Sequence, residues 1–417
     1  EVCAGFPGTL PVLNEKAVDL SIKTGLALNC DIQTLSIFSR KQYFYPDLPK
    51  GYQISQMDFP ICSGGYVEFF VNDEKHKVNL ERAHMEEDAG KSTHHGNYTL
   101  VNLNRAGIPL LEIVSGPEMH TPQEAAEYAK AVRRILRYIE VCDGNLEEGS
   151  MRCDCNVSIR KKGVKELGVK VELKNINSFK FIEKSLEYEI QRQISCVELG
   201  ERIVQETRLY DSAKNKTFSM RSKEEAADYR YFPDPDLLPL RIDTSTLEKI
   251  KNDLPELPLS KYYRFQSDYG LPEYDANILS QEKELADYFE EALKCGGTAK
   301  QVSNWVMGDL LGILKENKTS LLESPITPER LGSLVQLVEA GIISGKMGKQ
   351  VFTEMWSSAE SPEALVKSMG LEQITDSSAI EIIIDEILSN NPKQAEQIYI
   401  PYLLDMEVLA GKMKETE

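Results

Sequence analysis

The sequence predicts an α+β fold, with a head built on antiparallel strands, then an all-helical domain and a short helical tail. Three observations carry that expectation. Short segments that alternate apolar and polar residues recur through positions 1–254, separated by segments of helical period. Pro255 and Pro258 then fall in one short stretch, Leu254-Pro255-Glu256-Leu257-Pro258, which stops regular structure. Beyond it, residues 260–356 read as helices joined by Gly- and Pro-bearing turns. The expected divisions are 1–254, 255–357 and 358–417.

At 417 residues the chain can hold two or three domains. Its 41% hydrophobic and 27% charged content is that of a soluble globular protein, and no apolar run is long enough to span a membrane. A cytoplasmic protein is expected. The opening Glu1-Val2-Cys3 lacks a methionine, so a further N-terminal piece is expected before it. A net charge of −18 repels polyanions at long range, and a nucleic acid would have to be held by local patches and shape.

Taken in order, the glycines and prolines of residues 3–11 mark a turn-rich entry, and Ala17, Val18, Leu20, Ile22 and Leu26 give the next segment, 14–28, a helical face. Residues 38–56, FSRKQYFYPDLPKGYQISQ, combine Arg40 and Lys41 with five aromatics. Aromatic faces beside fixed cations either stack on a base or brace a rigid loop. The segments 66–72 and 76–82 alternate as antiparallel strands.

They lead into the densest stretch of the chain. Within it, His84, Glu86, Glu87, Asp88, Lys91, His94 and His95 crowd together, followed by Asn104-Arg105 and the run Ile108 to Val114, which is expected to be a buried strand. Glu112 interrupts that run, and a buried carboxylate needs a cation, a metal or a polar pocket. Two readings fit. The cluster is either a charge-laced turn with Glu112 paired to Arg105, or a site for Mg²⁺ and the phosphates it accompanies.

Next, Thr121, Pro122 and Glu124 spell a helix start with a capping box, and Ala125, Ala129, Val132, Leu136 and Ile139 continue at helical spacing. Glu147 and Glu148 sit in a loop before the strand MRCDCNVSIR, whose apolar face carries Cys153 and Cys155 as small hydrophobes and whose polar face carries Arg152 and Asp154. Unpaired cysteines of that kind indicate a reducing compartment. In VKVELKN, Glu172 and Lys174 share one face opposite Val171 and Leu173, and Asn177 or Ser178 caps a helix to about Leu199. DYRYFPDPDLLPL, with Asp228, Tyr229, Arg230, Tyr231, Asp234 and Asp236, adds further charge. Surface ion pairs explain each piece singly; their recurrence beside apolar strand faces suggests one polar cleft lined from several strands. Helical runs follow, from EKELADYFEEALK through IEIIIDEILS, and the tail is acidic.

With these segments assembled, the chain closely resembles the GatB/GatE family, the B subunits of tRNA-dependent amidotransferases. RKQYFYPDLPKGYQISQ, HMEEDAGKSTH, LNRAGIPLLEIVS, EEGSMRCDCNVSIR, VELKNINSF, DYRYFPDPDL and NWVMGDL carry the resemblance, over nearly all of residues 3–356. The lack of a long inserted domain between head and helices favours GatB over GatE.

The resemblance implies a cradle-like catalytic head that binds ATP and Mg²⁺. It activates the side-chain carboxylate of mischarged Glu-tRNA(Gln) or Asp-tRNA(Asn), which ammonia from the GatA glutaminase subunit then converts to the amide, GatC completing the complex. Glu87 and Glu112 match the family's metal-binding carboxylates. His84, Glu86 and Asp88 take supporting or second-metal roles by the same resemblance, and Lys91, Arg105, Arg152 and Lys174 contact phosphate or carboxylate. No Ser-rich amidase segment is present, so ammonia has to come from a partner.

Departures from the family pattern are specific. Its GLExH segment, with a Glu and a His for the metal, is expected before residue 1. Cys3 alone cannot hold the structural zinc of the family's frequent CxxC element, which needs about four ligands. Asn102 stands where an Asp is usual, and the acidic tail is a poor phosphate partner. A non-catalytic tRNA-binding scaffold of the same assembly is the alternative, and an unrelated ATP-dependent ligase of small carboxylates a more distant one.

Overall fold

The computed structural model describes residues 1–222, 229–371 and 389–390. The chain divides into two compact units, Glu1–Ala286 and Asp287–Glu417. Antiparallel sheets dominate the first and helices the second, an α+β protein. Asp228, the run IEIIIDEILS up to its last residue and the acidic tail lie outside the described residues; of the expected tail domain, Pro362–Ser368 is helical.

The first unit is built around one strand, Glu74–Glu87. Its first half pairs with Tyr66–Val71 across a turn in which Asn72 and Asp73 both take positive φ, a conformation these short polar residues tolerate. Its second half lies between Cys62–Ser63 and Pro109–Ser115. The residues expected to begin a turn at His84 therefore continue the strand, and His84, Glu86 and Glu87 are buried in it.

A bulge falls within this strand. Val114 pairs with Arg82 but Ser115 pairs with Leu80, which leaves Glu81 as the extra residue. Side chains alternate with period two, so one inserted residue inverts the phase. Val78 and Leu80 enter the core before the bulge and Ala83 and Met85 after it, while Arg82, His84 and Glu86 turn to the other face. Pro109–Ser115 departs from the fully buried strand expected: Leu111 and Ile113 pack on the core, but Glu112 is exposed.

Helices cover the core face. Glu15–Ala27 starts at Asn14, whose side chain accepts the Ala17 N–H, and contributes Val18 and Ile22. Pro122–Tyr138 starts at Thr121, which accepts the Glu124 N–H at 3.1 Å. The Glu124 carboxylate reaches back to the His120 N–H at 2.7 Å, one residue before the partner a capping box predicts. This helix serves two cores: Ala131, Val132 and Leu136 face the main sheet, and Ala126 and Ala129 join Val171, Leu173, Ile182 and Leu186 over a second sheet.

The second sheet runs Cys153–Val157, Val171–Ile176, Glu206–Asp211, Lys216–Ser222. Its middle pair is parallel because the helix Phe179–Glu198, capped by Ser178, crosses between the two strands. A small third sheet brings Phe232–Pro233 to Ser39–Gln42, which pairs with Tyr52–Ser55. The first unit continues past Leu254–Pro258 through the helix Pro258–Ser267, which buries Tyr262 and Phe265.

In the second unit, NWVMGDL contains one π turn, Trp305–Leu310, that buries Trp305, Val306 and Leu310, with Trp305 against Phe352. Arg330 ties segments together by donating to the carbonyls of Pro325, Met355, Ser358 and Glu360. No helix among the described residues is long and apolar enough to cross a membrane.

Candidate functional site

On the polar face of the main sheet, register places Glu112 opposite His84 and Leu110 opposite Glu86. One ligand atom each from His84, Glu86 and Glu112 lie within 4.8 Å of one another. His84 and Glu86 are 4% and 8% exposed, whereas Glu112 is open to solvent. Among the described residues Glu112 makes no hydrogen bond or ion pair. Arg105, the partner a purely structural Glu112 would have had, is engaged by Asp88 instead.

Glu86 is the anchor of the group. Ser55 Oγ donates to one carboxylate oxygen at 2.6 Å and Gln53 Nε2 to the other at 3.0 Å, while His84 Nε2 lies 3.5 Å and Lys41 Nζ 3.6 Å away. Burial pushes its carboxyl up, but the His84 imidazole, the Lys41 charge and the Ser55 hydroxyl together hold it below the usual value. Tyr231 borders the same space. Burial first, then the negative charge of Glu86 and Glu112, raises its phenol to about 12, so it stays protonated as a donor.

Arg40 sits over the Tyr52 ring at 4.1 Å and pairs with Asp234 at 3.2 Å and Asp236 at 2.7 Å, so it braces the third sheet. Lys41, 5.3 Å over the Tyr229 ring, is turned toward Glu86.

Glu87 falls on the other side of the strand. Its carboxylate pairs with Lys50 and accepts the Ile54 N–H at 2.8 Å. With Glu86, Met85, Ile54, Phe38 and Cys3 it lines a cavity of about 730 Å³. Asp88 Oδ2 receives two guanidiniums, Arg152 at 2.8 Å and Arg105 at 3.0 Å. Lys174 lies on the second sheet, bound to Asp154 at 2.6 Å and Glu172 at 3.2 Å. Lys91 is exposed on a hairpin, Lys91–His95 with Tyr98–Asn102. The structure thus gathers His84, Glu86 and Glu112 in one group and Asp88, Arg105 and Arg152 in another, and sets Glu87, Lys91 and Lys174 apart from both.

Cys153 and Cys155 are free thiols 3.9 Å apart, packed against the second core as the alternation predicts.

Sequence reasoning missed Gln53, Ser55, Arg82 and Glu189. In Tyr52–Ser55 the two inward positions are both polar, a pattern that signals a polar partner beneath. Glu189 extends the apolar stripe Ile182–Leu186 and is fully buried; it accepts from Arg192, Gln193 and Thr217 and lies 3.4 Å from Arg208.

Residues 1–248 match the family model described as GatB/GatE catalytic domain, and residues 287–400 match the one described as GatB domain. The chain is similar to the B subunit of the aspartyl/glutamyl-tRNA(Asn/Gln) amidotransferase of Bdellovibrio bacteriovorus, 59% identical over 95% of this chain and 83% of the relative. The same protein of Thermodesulfovibrio yellowstonii is 54% identical over 95% and 84%, and that of Carboxydothermus hydrogenoformans 50% over 100% and 88%.

Proposed function

The chain belongs to the GatB/GatE family, and on that premise we propose that it is the subunit that activates and amidates the side-chain carboxylate of mischarged Glu-tRNA(Gln) or Asp-tRNA(Asn). The γ-phosphoryl group of ATP passes to that carboxylate, leaving ADP and an acyl phosphate. Ammonia then attacks the acyl carbon and inorganic phosphate departs, giving Gln-tRNA(Gln) or Asn-tRNA(Asn). Phosphorylation is needed because a free carboxylate has no adequate leaving group. GatA supplies the ammonia in this reading and GatC completes the assembly, in the cytoplasm.

The observation that carries the proposal is the exposed, partner-free carboxylate of Glu112 set across from a buried His84 and an ionised Glu86. Two carboxylates and an imidazole suit a divalent cation, and the buried His84 Nδ1 has no hydrogen-bond partner among the described residues. His84, Glu86 and Glu112 would hold Mg²⁺, whose positive charge would offset that of the phosphates. Glu87, which lines the same cavity as Glu86, is proposed as a further contact to the ion. Arg105 and Arg152, which converge on Asp88, are proposed to take phosphate oxygens, and Lys91 and Lys174 are proposed as outlying contacts to phosphate or carboxylate.

The test uses the complex reconstituted with its partner subunits and supplied with ammonium, so that no glutaminase step intervenes. Glu112→Gln should bind tRNA like wild type and lose ATP-dependent formation of Gln-tRNA(Gln). Unchanged conversion would make Glu112 dispensable and defeat the assignment.

A further inference from the structure

Arg82 takes part in none of the contacts described above. It occupies the bulge of the central strand, between Ser63 and Val114 on the neighbouring strands, neither of which offers a charge. Bulges re-aim a side chain, and this one puts Arg82 on the same face as His84 and Glu86. Its Nε is buried and has no hydrogen-bond partner, and among the described residues Arg82 has no ion pair. Glu86 does not satisfy it, because Ser55, Gln53, His84 and Lys41 already surround that carboxylate. The Arg82 charge also acts on the Tyr231 phenol, against the raising effect of burial.

A buried N–H without an acceptor is costly and is kept where a ligand supplies the acceptor. Guanidinium offers Nε–H and a neighbouring Nη–H as a planar fork, the geometry that fits two oxygens of one carboxylate or phosphoryl group.

We propose that Arg82 is an oxyanion-binding residue whose free Nε–H edge receives two oxygens of the anionic reactant beside the His84–Glu86–Glu112 group. This deepens the activation reading and rests on it, by naming the group that orients the reactant. Two sources share the chemistry, the side-chain carboxylate of the aminoacyl group and the terminal phosphoryl group of ATP.

The experiment compares wild type, Arg82→Gln, Arg82→Lys and Glu112→Gln in the reconstituted complex with ammonium as nitrogen source. It reads KM for ATP, KM for Glu-tRNA(Gln), binding of uncharged tRNA and the melting temperature. Arg82→Gln should lose at least about tenfold in kcat/KM without losing melting temperature, and added guanidinium ion should restore part of the rate. A raised KM for ATP alone identifies the phosphoryl group. A raised KM for Glu-tRNA(Gln), with uncharged tRNA bound as before, identifies the carboxylate. Arg82→Gln within twofold of wild type, while Glu112→Gln is inactive, overturns this inference and spares the activation reading. Both Arg82 variants unfolding, with no rescue by guanidinium, also overturns it, since Arg82 is then structural. A wild-type complex that converts no substrate sinks both.

Discussion

Glu112 stands directly across the antiparallel ladder from His84, with Leu111 paired to Met85 and Ile113 to Ala83 on the alternate positions. The alternate positions feed the apolar core and hold the register; the Glu112–His84 pair is left to the polar face. The core packing and the candidate site therefore lie on opposite faces of the same two strands.

That separation predicts what Glu112→Gln does to the isolated subunit. An exposed side chain without partners contributes little to folding, so the change in stability should stay within about 0.5 kcal/mol. Affinity for Mg²⁺ or Mn²⁺, measured by calorimetry, should drop at least about tenfold. A large fall in melting temperature would assign Glu112 to the fold instead.

Lys50 and Glu87 form a pair whose side chains are only 6% and 9% exposed. Removing one partner strands a buried charge, at a cost of about 3–5 kcal/mol. Lys50→Met should show that loss in chemical denaturation, and Lys50→Met combined with Glu87→Gln should recover most of it. Equal losses in the single and double variants would mean that Lys50 acts through packing.

Glu86 has a pKa lowered on folding, so its contribution to stability is present above the ordinary glutamate value of 4.5 and is lost as pH falls below it toward the folded-state value. Melting temperature should decline as pH is lowered through and below that value. Glu86→Gln should flatten the acid side of the profile, with stability at neutral pH lower than that of wild type. An unchanged acid limb would show that His84, Lys41 and Ser55 do not stabilise the carboxylate.

Glu189 neutralises Arg192 and Arg208 from a fully buried position on the helix Phe179–Glu198. Glu189→Ala leaves two guanidiniums without their shared anion and should cost about 3 kcal/mol in chemical denaturation. The main sheet should keep its metal affinity, because Glu189 belongs to the second sheet. Loss of metal binding in a folded Glu189→Ala subunit would contradict that independence.

Local signals were legible in the chain. Helix starts at Asn14, Thr121 and Ser178 follow from side chains that accept an N–H three residues on, which is a short-range property. The carboxylate cluster from His84 to Asp88 and the Glu112 inside an apolar run were visible as groups in need of partners. Arg40 against Asp234 was not, since 194 residues separate them and only the third sheet brings them together. The ion pair of Lys50 with Glu87 was hidden for the same reason.

By itself, then, the sequence determined the element pattern, the family and the set of acids and bases available for chemistry. Only the tertiary structure decided which of them face one another. One extra residue at Glu81 inverts the strand's phase, turning Arg82, His84 and Glu86 to the polar face and Glu87 away from it. A side-chain period of two makes that outcome depend on pairing with Pro109–Ser115, a non-local contact that no window of local sequence contains.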